Sequence, residues 1–191
     1  MKKILIGFGV LFLLFVLFLW WGSTVKTPQS TNSTTSSTNT AESVKQNFTS
    51  DKGNFSIFFE GTPTYKPNFM TLKSGEKVPA HFYQYKDSSD VVWQVFYTEY
   101  PEKVDISSPN TLLLSGVEGT RATLEGETKS TRELTYQGLP AVEYVVYMPS
   151  EKVYFKGRNI LKGYKFYSVS VVYDDTQTPE IDKFFDSLLI K

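Results

Sequence analysis

An uncharged apolar stretch near the N-terminus constrains the organisation of this chain more than any other feature of its sequence. Residues 4–21 read ILIGFGVLFLLFVLFLWW and include no charged side chain. At 1.5 Å per residue, a helix of this length measures about 27 Å and nearly matches the roughly 30 Å hydrocarbon layer of a membrane. In lipid, such a helix satisfies its own backbone hydrogen bonds. We therefore predict a transmembrane signal anchor over residues 1–21.

The residues that flank this stretch give the predicted helix a direction. Lys2 and Lys3 precede it, and basic residues favour the cytoplasmic side of a membrane. Trp20 and Trp21 end it, and tryptophan is enriched at the membrane–water interface. These four residues form the predicted membrane interface with the lipid bilayer. The sequence thus predicts a single-pass cell-membrane protein with a cytoplasmic N-terminus and an extracytoplasmic C-terminal domain.

A cleaved secretory signal is the alternative interpretation. Such signals carry an apolar region of about 7 to 15 residues, followed by a small-x-small cleavage site. Here the apolar run is longer and ends in two tryptophans, and Gly22, Ser23 and Thr24 form a poor cleavage motif. Cleavage would make the domain a secreted protein, so both interpretations export it.

A Ser/Thr-rich segment over residues 22–47 follows the apolar stretch. Between residues 22 and 41, twelve of twenty residues are Ser or Thr. Such a segment buries too little apolar surface to offset its ordering entropy, so we predict a disordered linker. Glycosylation sequons occur at Asn32, Asn47 and Asn54, but chance explains them equally well in this composition.

Composition excludes several classes of function. The chain has 20 basic and 20 acidic residues, with no block of like charges, which argues against nucleic-acid binding. It has no cysteine, which excludes disulfides, thiolate nucleophiles, zinc–cysteine sites and the lipid attachment of a bacterial lipoprotein. With 40% hydrophobic residues, the chain can bury one core, and we predict one domain over residues 48–191.

Alternating apolar residues in this domain predict a β-sheet. Tyr167, Val169 and Val171, for example, alternate with Ser168 and Ser170, which indicates a strand with one face more apolar than the other. Turn residues separate the alternating segments. The predicted strands cover residues 55–59, 78–86, 91–100, 128–136, 141–148, 153–161 and 164–173.

Two helices are predicted to pack on this sheet. Ser108 and Pro109 are a cap and first-turn pair for a helix that ends near Gly119. Thr178 and Pro179 have the same roles before the C-terminal helix. That helix carries apolar residues at helical spacing, namely Ile181, Phe184, Phe185 and Leu188. The order of elements predicts an α+β domain in which helices cover an antiparallel sheet.

The pattern resembles the PsbP-like family, whose relatives include the photosystem PsbP subunit and a nuclear Ran-binding protein that shares the fold. The matching pieces are GNFSIFFEGTP, VVWQVFYTEYP, YQGLPAVEY, YFKGRNILKGYKFYSVSV and FFDSLLI. The resemblance implies an α/β/α sandwich and an interaction or assembly role rather than a known reaction. The sequence has no photosystem-specific or Ran-specific signature, so neither partner is carried over.

Few residues are candidates for chemistry. His81 is the only histidine, and no G-x-S-x-G motif accompanies a serine. With Tyr83 and Tyr85 it forms a possible ligand surface, although a polar residue at the start of a strand is the simpler explanation. Asp174, Asp175 and Asp182 are possible oxygen ligands for a metal ion, but an exposed acidic turn explains them more simply.

Two hypotheses of function follow. The first is a membrane-anchored extracytoplasmic binding or assembly module with a protein partner of unknown identity, without catalytic activity, cofactor or metal. The alternative is an envelope enzyme, or a small-ligand or metal-binding protein, with its site near His81.

Overall fold

The structure, a computed structural model, describes residues 47–72, 74–177 and 179–191. The predicted anchor, with Lys2, Lys3, Trp20 and Trp21, lies outside these residues, as do the linker before residue 47 and the predicted cap Thr178. Within the described ranges, no helix is long and apolar enough to cross a membrane.

Ten strands and two helices make up the described part of the chain. In chain order they are β1 (Phe48–Ser50), β2 (Phe55–Ile57), β3 (Thr64–Thr71), β4 (Lys77–Lys86), β5 (Val92–Glu99), α1 (Pro109–Thr123), β6 (Glu127–Tyr136), β7 (Leu139–Met148), β8 (Val153–Lys162), β9 (Lys165–Asp174), α2 (Ile181–Asp186) and β10 (Leu189–Ile190). Seven strands form one sheet in the order β3-β4-β5-β9-β8-β7-β6, and β1-β2-β10 form a second, three-stranded sheet. Neighbouring strands in both sheets are antiparallel.

The predicted antiparallel sheet is confirmed. The six predicted strands from residue 78 onward are present, and their ends differ from the prediction by at most two residues. Strand β3 was missed because Pro67 lies in its middle, and proline lacks the N–H of a ladder hydrogen bond. Proline is tolerated there because β3 is an edge strand. The first predicted strand is shorter than expected and pairs with β1 and β10 instead of the main sheet.

Helix α1 covers one face of the main sheet, which we call the α1 face. Pro109 lies in its first turn as predicted, although the Ser108 side chain makes no capping hydrogen bond. The predicted end at Gly119 was wrong, because the helix continues for another turn to Thr123. Thr120 and Thr123 are buried in that turn, so packing on the sheet outweighs the low helix propensity of glycine.

Helix α2 and the three-stranded sheet cover the opposite face, which we call the α2 face. The prediction that Pro179 is the first helical residue was wrong. Its carbonyl accepts a 2.8 Å hydrogen bond from the N–H of Ile181, which is a tight turn, and the helix starts at Ile181. The α2 face is therefore covered by a short helix and a small sheet together, rather than by helices alone.

The side chain of Arg158 joins α2 to the main sheet. It is 5% exposed, and its Nε and Nη2 atoms donate to Glu143 Oε1 at 2.8 and 2.6 Å. Its Nη1 atom donates to Asp186 Oδ1 on α2 at 3.0 Å. The guanidinium carbon also lies 4.6 Å from the centre of the Tyr136 ring, within cation–π distance. One buried cation thus binds a strand residue, a helix residue and an aromatic ring.

Glu143 is the carboxylate on which this cluster depends. Burial disfavours its ionised form, but hydrogen bonds from Arg158 and Arg132 outweigh burial and lower its pKa. A carboxyl with a depressed pKa stabilises the fold above its unfolded pKa, and the contribution is lost as the pH falls through the folded pKa.

We expect Arg158→Met to lower the free energy of unfolding at pH 7 by about 3 kcal/mol, because it leaves Glu143 buried without its main partner. Glu143→Gln should also destabilise the protein at pH 7, and its deficit should shrink as the pH falls through the lowered pKa of wild-type Glu143. Urea unfolding between pH 3 and pH 7 measures both effects. A deficit for Glu143→Gln that does not change with pH would contradict the role of the charge.

Candidate functional site

The structure places the predicted ligand surface of His81, Tyr83 and Tyr85 on the α2 face of β4. The three side chains share this face because alternate residues of a strand point the same way. All three are only partly exposed. The Tyr83 ring lies 4.7 Å from that of Phe48 in β1, and a side chain at Gly61 would collide with the Tyr85 ring. Strand β1 and the segment after β2 therefore cover Tyr83 and Tyr85, and His81 is left at the margin.

The His81 ring is held between two tyrosines. It stacks on Tyr97 with ring centres 4.5 Å apart and on Tyr65 with ring centres 6.0 Å apart. The Tyr65 hydroxyl and His81 Nδ1 are hydrogen-bonded at 2.8 Å. Burial and then the positive charge of Lys52 lower the pKa of His81. The neutral imidazole is therefore favoured at pH 7.

An open depression beside His81 has a volume of about 340 Å³ and is lined by Lys52, Pro79, His81, Tyr97 and Glu99. None of these lining residues is a serine or threonine, and the Nδ1 partner of His81 is a tyrosine and not a carboxylate. A Ser-His-Asp arrangement is therefore not assembled by the groups that surround this histidine.

The hydroxyl of Tyr97 is a buried polar group without a hydrogen bond. The residue is 4% exposed, and no described residue forms a hydrogen bond with its Oη atom. Burial, and next the proximity of Tyr83, raise the pKa of Tyr97 to about 12. The nearby Ser50 Oγ partly offsets this rise in the pKa of Tyr97. The hydrogen bond of Ser50 Oγ itself, at 3.1 Å, is with Tyr83 Oη. Tyr97 is therefore a neutral, buried support for the His81 ring.

The acidic residues near the C-terminus do not form a metal site among the described residues. No group of three His, Asp or Glu side chains in that part of the chain is arranged to hold a metal ion. Asp174 Oδ1 accepts a hydrogen bond from the N–H of Thr176 at 2.8 Å. Asp182 Oδ1 pairs with Lys156 Nζ at 2.8 Å. Asp174 and Asp182 thus each have a separate local partner.

A cavity that was not predicted from the sequence lies on the α1 face, between α1 and the sheet. It has a volume of about 90 Å³. Its walls come from β3, α1 and the core strands, and they comprise Asn68, Phe69, Met70, Thr71, Ala80, Phe82, Gln94, Phe96, Tyr100, Gly116, Gly119, Thr120, Thr123, Tyr144, Phe155, Phe166, Ser168 and Ser170. The β3 residues of this wall belong to an edge strand, and the cavity is open to solvent on one side.

Small residues on both walls create this space. Gly116, Gly119, Thr120 and Thr123 lie at helical spacing on α1, and the two serines of the β9 alternation lie on the sheet. A sheet-facing helix stripe of this kind usually carries large apolar side chains. The helical spacing of these small residues can be read from the sequence. Only the fold shows that they line the same cavity as the serines of β9.

Two glutamines next to each other on the α1 face differ in their partners. Gln84 and Gln94 are paired across β4 and β5, and each is 6% exposed. Gln84 Oε1 accepts a hydrogen bond from Lys66 Nζ at 3.3 Å. Gln94 lines the cavity, and no described residue hydrogen-bonds to its side-chain amide. The cavity is thus an aromatic enclosure with an unpaired amide, and no charged side chain is among its lining residues.

Comparison with known proteins gives a likeness of fold. The solution structure of cyanobacterial PsbP from Synechocystis sp. PCC 6803 is similar, with a TM-score of 0.52 and 10% sequence identity, over 76% of this chain and 92% of that chain. No family model and no curated protein matches the sequence. The PsbP-like fold inferred from the sequence motifs is therefore confirmed as a fold, and at this identity the likeness shows nothing further.

We expect the pKa of His81 to lie below 6.5, because burial and the charge of Lys52 disfavour the imidazolium. Lys52→Gln should raise this pKa towards the ordinary value, whereas Lys129→Gln, on β6 at the opposite edge of the sheet, should leave it unchanged. Since His81 is the only histidine, an NMR titration follows it without ambiguity. A wild-type pKa above 6.5 would contradict this description of the site.

Proposed function

We propose that this chain is a membrane-tethered extracytoplasmic binding module without catalytic activity, which holds a protein partner through an aromatic edge. The aromatic edge consists of Tyr65 and Phe69 of β3 with His81 of β4 behind them. The observation that carries the proposal is the exposure of its two outer rings, 45% for Tyr65 and 57% for Phe69. Tyrosine and phenylalanine are enriched where proteins bind one another.

The geometry of the aromatic edge favours binding. Tyr65 is fixed by its 2.8 Å hydrogen bond to His81 and by a ring contact with Tyr83, whose centre is 5.0 Å away. A side chain that is ordered before binding loses less conformational entropy on binding. An exposed ring in a fixed orientation is therefore a suitable anchor for a partner.

The backbone of β3 is less suited to binding. Pro67 has no N–H to donate, and the N–H of Phe69 is hydrogen-bonded to Asn68 Oδ1 at 2.8 Å. Proteins protect edge strands from unwanted strand pairing with proline and by similar means. Recognition through the side chains of the aromatic edge is therefore favoured over addition of a strand.

Tethering and location are supported by the sequence. The uncharged stretch at residues 4–21 has the length of a membrane span, and Lys2 and Lys3 orient it. The Ser/Thr-rich linker would let the domain reach a partner at a distance from the membrane. The lack of catalysis is supported by the surroundings of His81. In a catalytic triad, a carboxylate accepts a hydrogen bond from Nδ1 of the histidine, whereas here Nδ1 is hydrogen-bonded to the Tyr65 hydroxyl.

Site-specific photocrosslinking in intact cells tests the aromatic edge. Replacement of Tyr65 by the photoreactive residue benzoylphenylalanine should give a discrete crosslinked protein band, because the ring position is exposed. The same replacement at Thr131, exposed on β6 at the other edge of the sheet, is the matched control and should give none. In addition, Tyr65→Ala should weaken binding of the identified partner about tenfold. A band from Thr131 but not from Tyr65 would contradict the proposal.

Membrane attachment is tested by fractionation. The full chain should stay in the membrane pellet after alkaline carbonate extraction, and protease added outside the cells should digest its domain. Mass spectrometry of the mature chain should find residues 1–21 still attached. A soluble mature chain that starts after Trp21 would show a cleaved signal instead, and a domain protected from external protease would overturn the extracytoplasmic location.

A further inference from the structure

The cavity on the α1 face has the properties of a site for a small molecule. Its floor contains the unpaired amide of Gln94 and the small side chains of Ser168 and Ser170, and aromatic rings dominate its walls. No described residue pairs with this amide, so a water molecule or a ligand in the cavity has to supply its hydrogen bonds. The cavity is open on one side, so a molecule from solvent has access to it.

We propose that this cavity binds a small neutral ring that carries a hydrogen-bonding group, of the phenol class. The ring is expected because the walls are aromatic, and aromatic rings pack favourably against one another. The hydrogen-bonding group is expected because the Gln94 amide faces the cavity without a partner. Neutrality is expected because no charged side chain lines the cavity and burial of an unpaired charge is costly.

The volume limits the ligand to one ring. An apolar cavity of about 150 Å³ is known to hold benzene. The present cavity, at about 90 Å³, is smaller but open on one side, so a six-membered ring fits with one edge at the mouth. Fused ring systems and long chains exceed this space. The site also differs from Tyr65 and His81 of the aromatic edge, which lie on the α2 face, although Phe69 borders both.

Fluorine NMR with the full chain in lipid nanodiscs tests this site. The probe is 4-fluorophenol, which is neutral at pH 7, and we expect saturable binding with a dissociation constant on the order of 1 mM for a ligand of its size. Fluorobenzene lacks the hydroxyl and should bind about tenfold more weakly. The charged 4-fluorobenzoate should not bind. Empty nanodiscs correct for partition of each probe into lipid.

The two buried glutamines supply a matched pair of variants. Gln94→Leu should lower the affinity for 4-fluorophenol about tenfold, to the level of fluorobenzene, while fluorobenzene itself is unaffected. Gln84→Leu removes an amide that is equally buried but lies outside the cavity. It should leave the affinities for 4-fluorophenol and fluorobenzene unchanged. If Gln84→Leu instead weakened binding as much as Gln94→Leu, the assignment of the hydrogen bond to Gln94 would be wrong.

A cavity-filling variant keeps the proposal testable if Gln94→Leu does not fold. Gly119→Leu places a large side chain on the cavity wall and replaces a helix glycine by a strong helix former, so the fold should be retained. It should abolish binding of both neutral probes, with thermal unfolding as the check on folding. No saturable binding to the wild type, or binding that survives Gly119→Leu, would overturn the proposal. The crosslink from Tyr65 is independent of either result.

Discussion

The alternation of side-chain size along the central strand β9 is the constraint on which the rest of the structure depends. In the middle of this strand, Tyr167, Val169 and Val171 are fully buried on the α2 face. The two positions between them carry Ser168 and Ser170, which line the cavity on the α1 face. Because side chains of a strand alternate between the faces of the sheet, one segment of sequence gives the two layers opposite character. Under β9, the α2 face buries large side chains, whereas the α1 face has a cavity.

The elements that pack on the two faces of the sheet match this difference in side-chain size. On the α2 face, β1, β2, β10 and α2 lie over a continuous set of large side chains, and the buried Arg158 fixes α2 by charge as well as by packing. On the α1 face, a single helix packs its large residues against β7 and β8 and turns its small residues toward β5 and β9. The space beside α1 is thus a consequence of residue size on both walls and not of a missing element.

Much of the fold could be predicted because most of its strands are joined by tight turns. The hairpin β8–β9 and the turn at Gln137 and Gly138 are local features, and alternation plus turn residues identify them directly. Strand β3 was missed because Pro67 contradicts a strand unless its edge position is known. Strands β1 and β10 are three and two residues long, too short for a periodic signal, and they pair only because β2 lies between them.

The candidate sites, too, could be predicted from the sequence only where they depend on local features. His81, Tyr83 and Tyr85 share a face by strand periodicity, so their grouping was predictable. The cover of Tyr83 by β1 was not predictable, because Phe48 is distant in sequence. The cavity depends on glycines of α1 meeting serines of β9, about fifty residues later in the sequence. Periodicity within one element carries no information about which residues of another element lie opposite.

The pairing of β1 has a mechanical consequence. β1 is the first strand of the described chain, it pairs through only three residues with β2, and it covers the Tyr83 ring. Any tension that the preceding segment transmits therefore acts first on these three residue pairs and on the contacts of Phe48 and Ser50 with Tyr83. Detachment of β1 would remove Phe48 from Tyr83 and expose the Tyr83 ring beside Tyr65. In this architecture, the strand that receives force from the N-terminal side is also the cover of Tyr83.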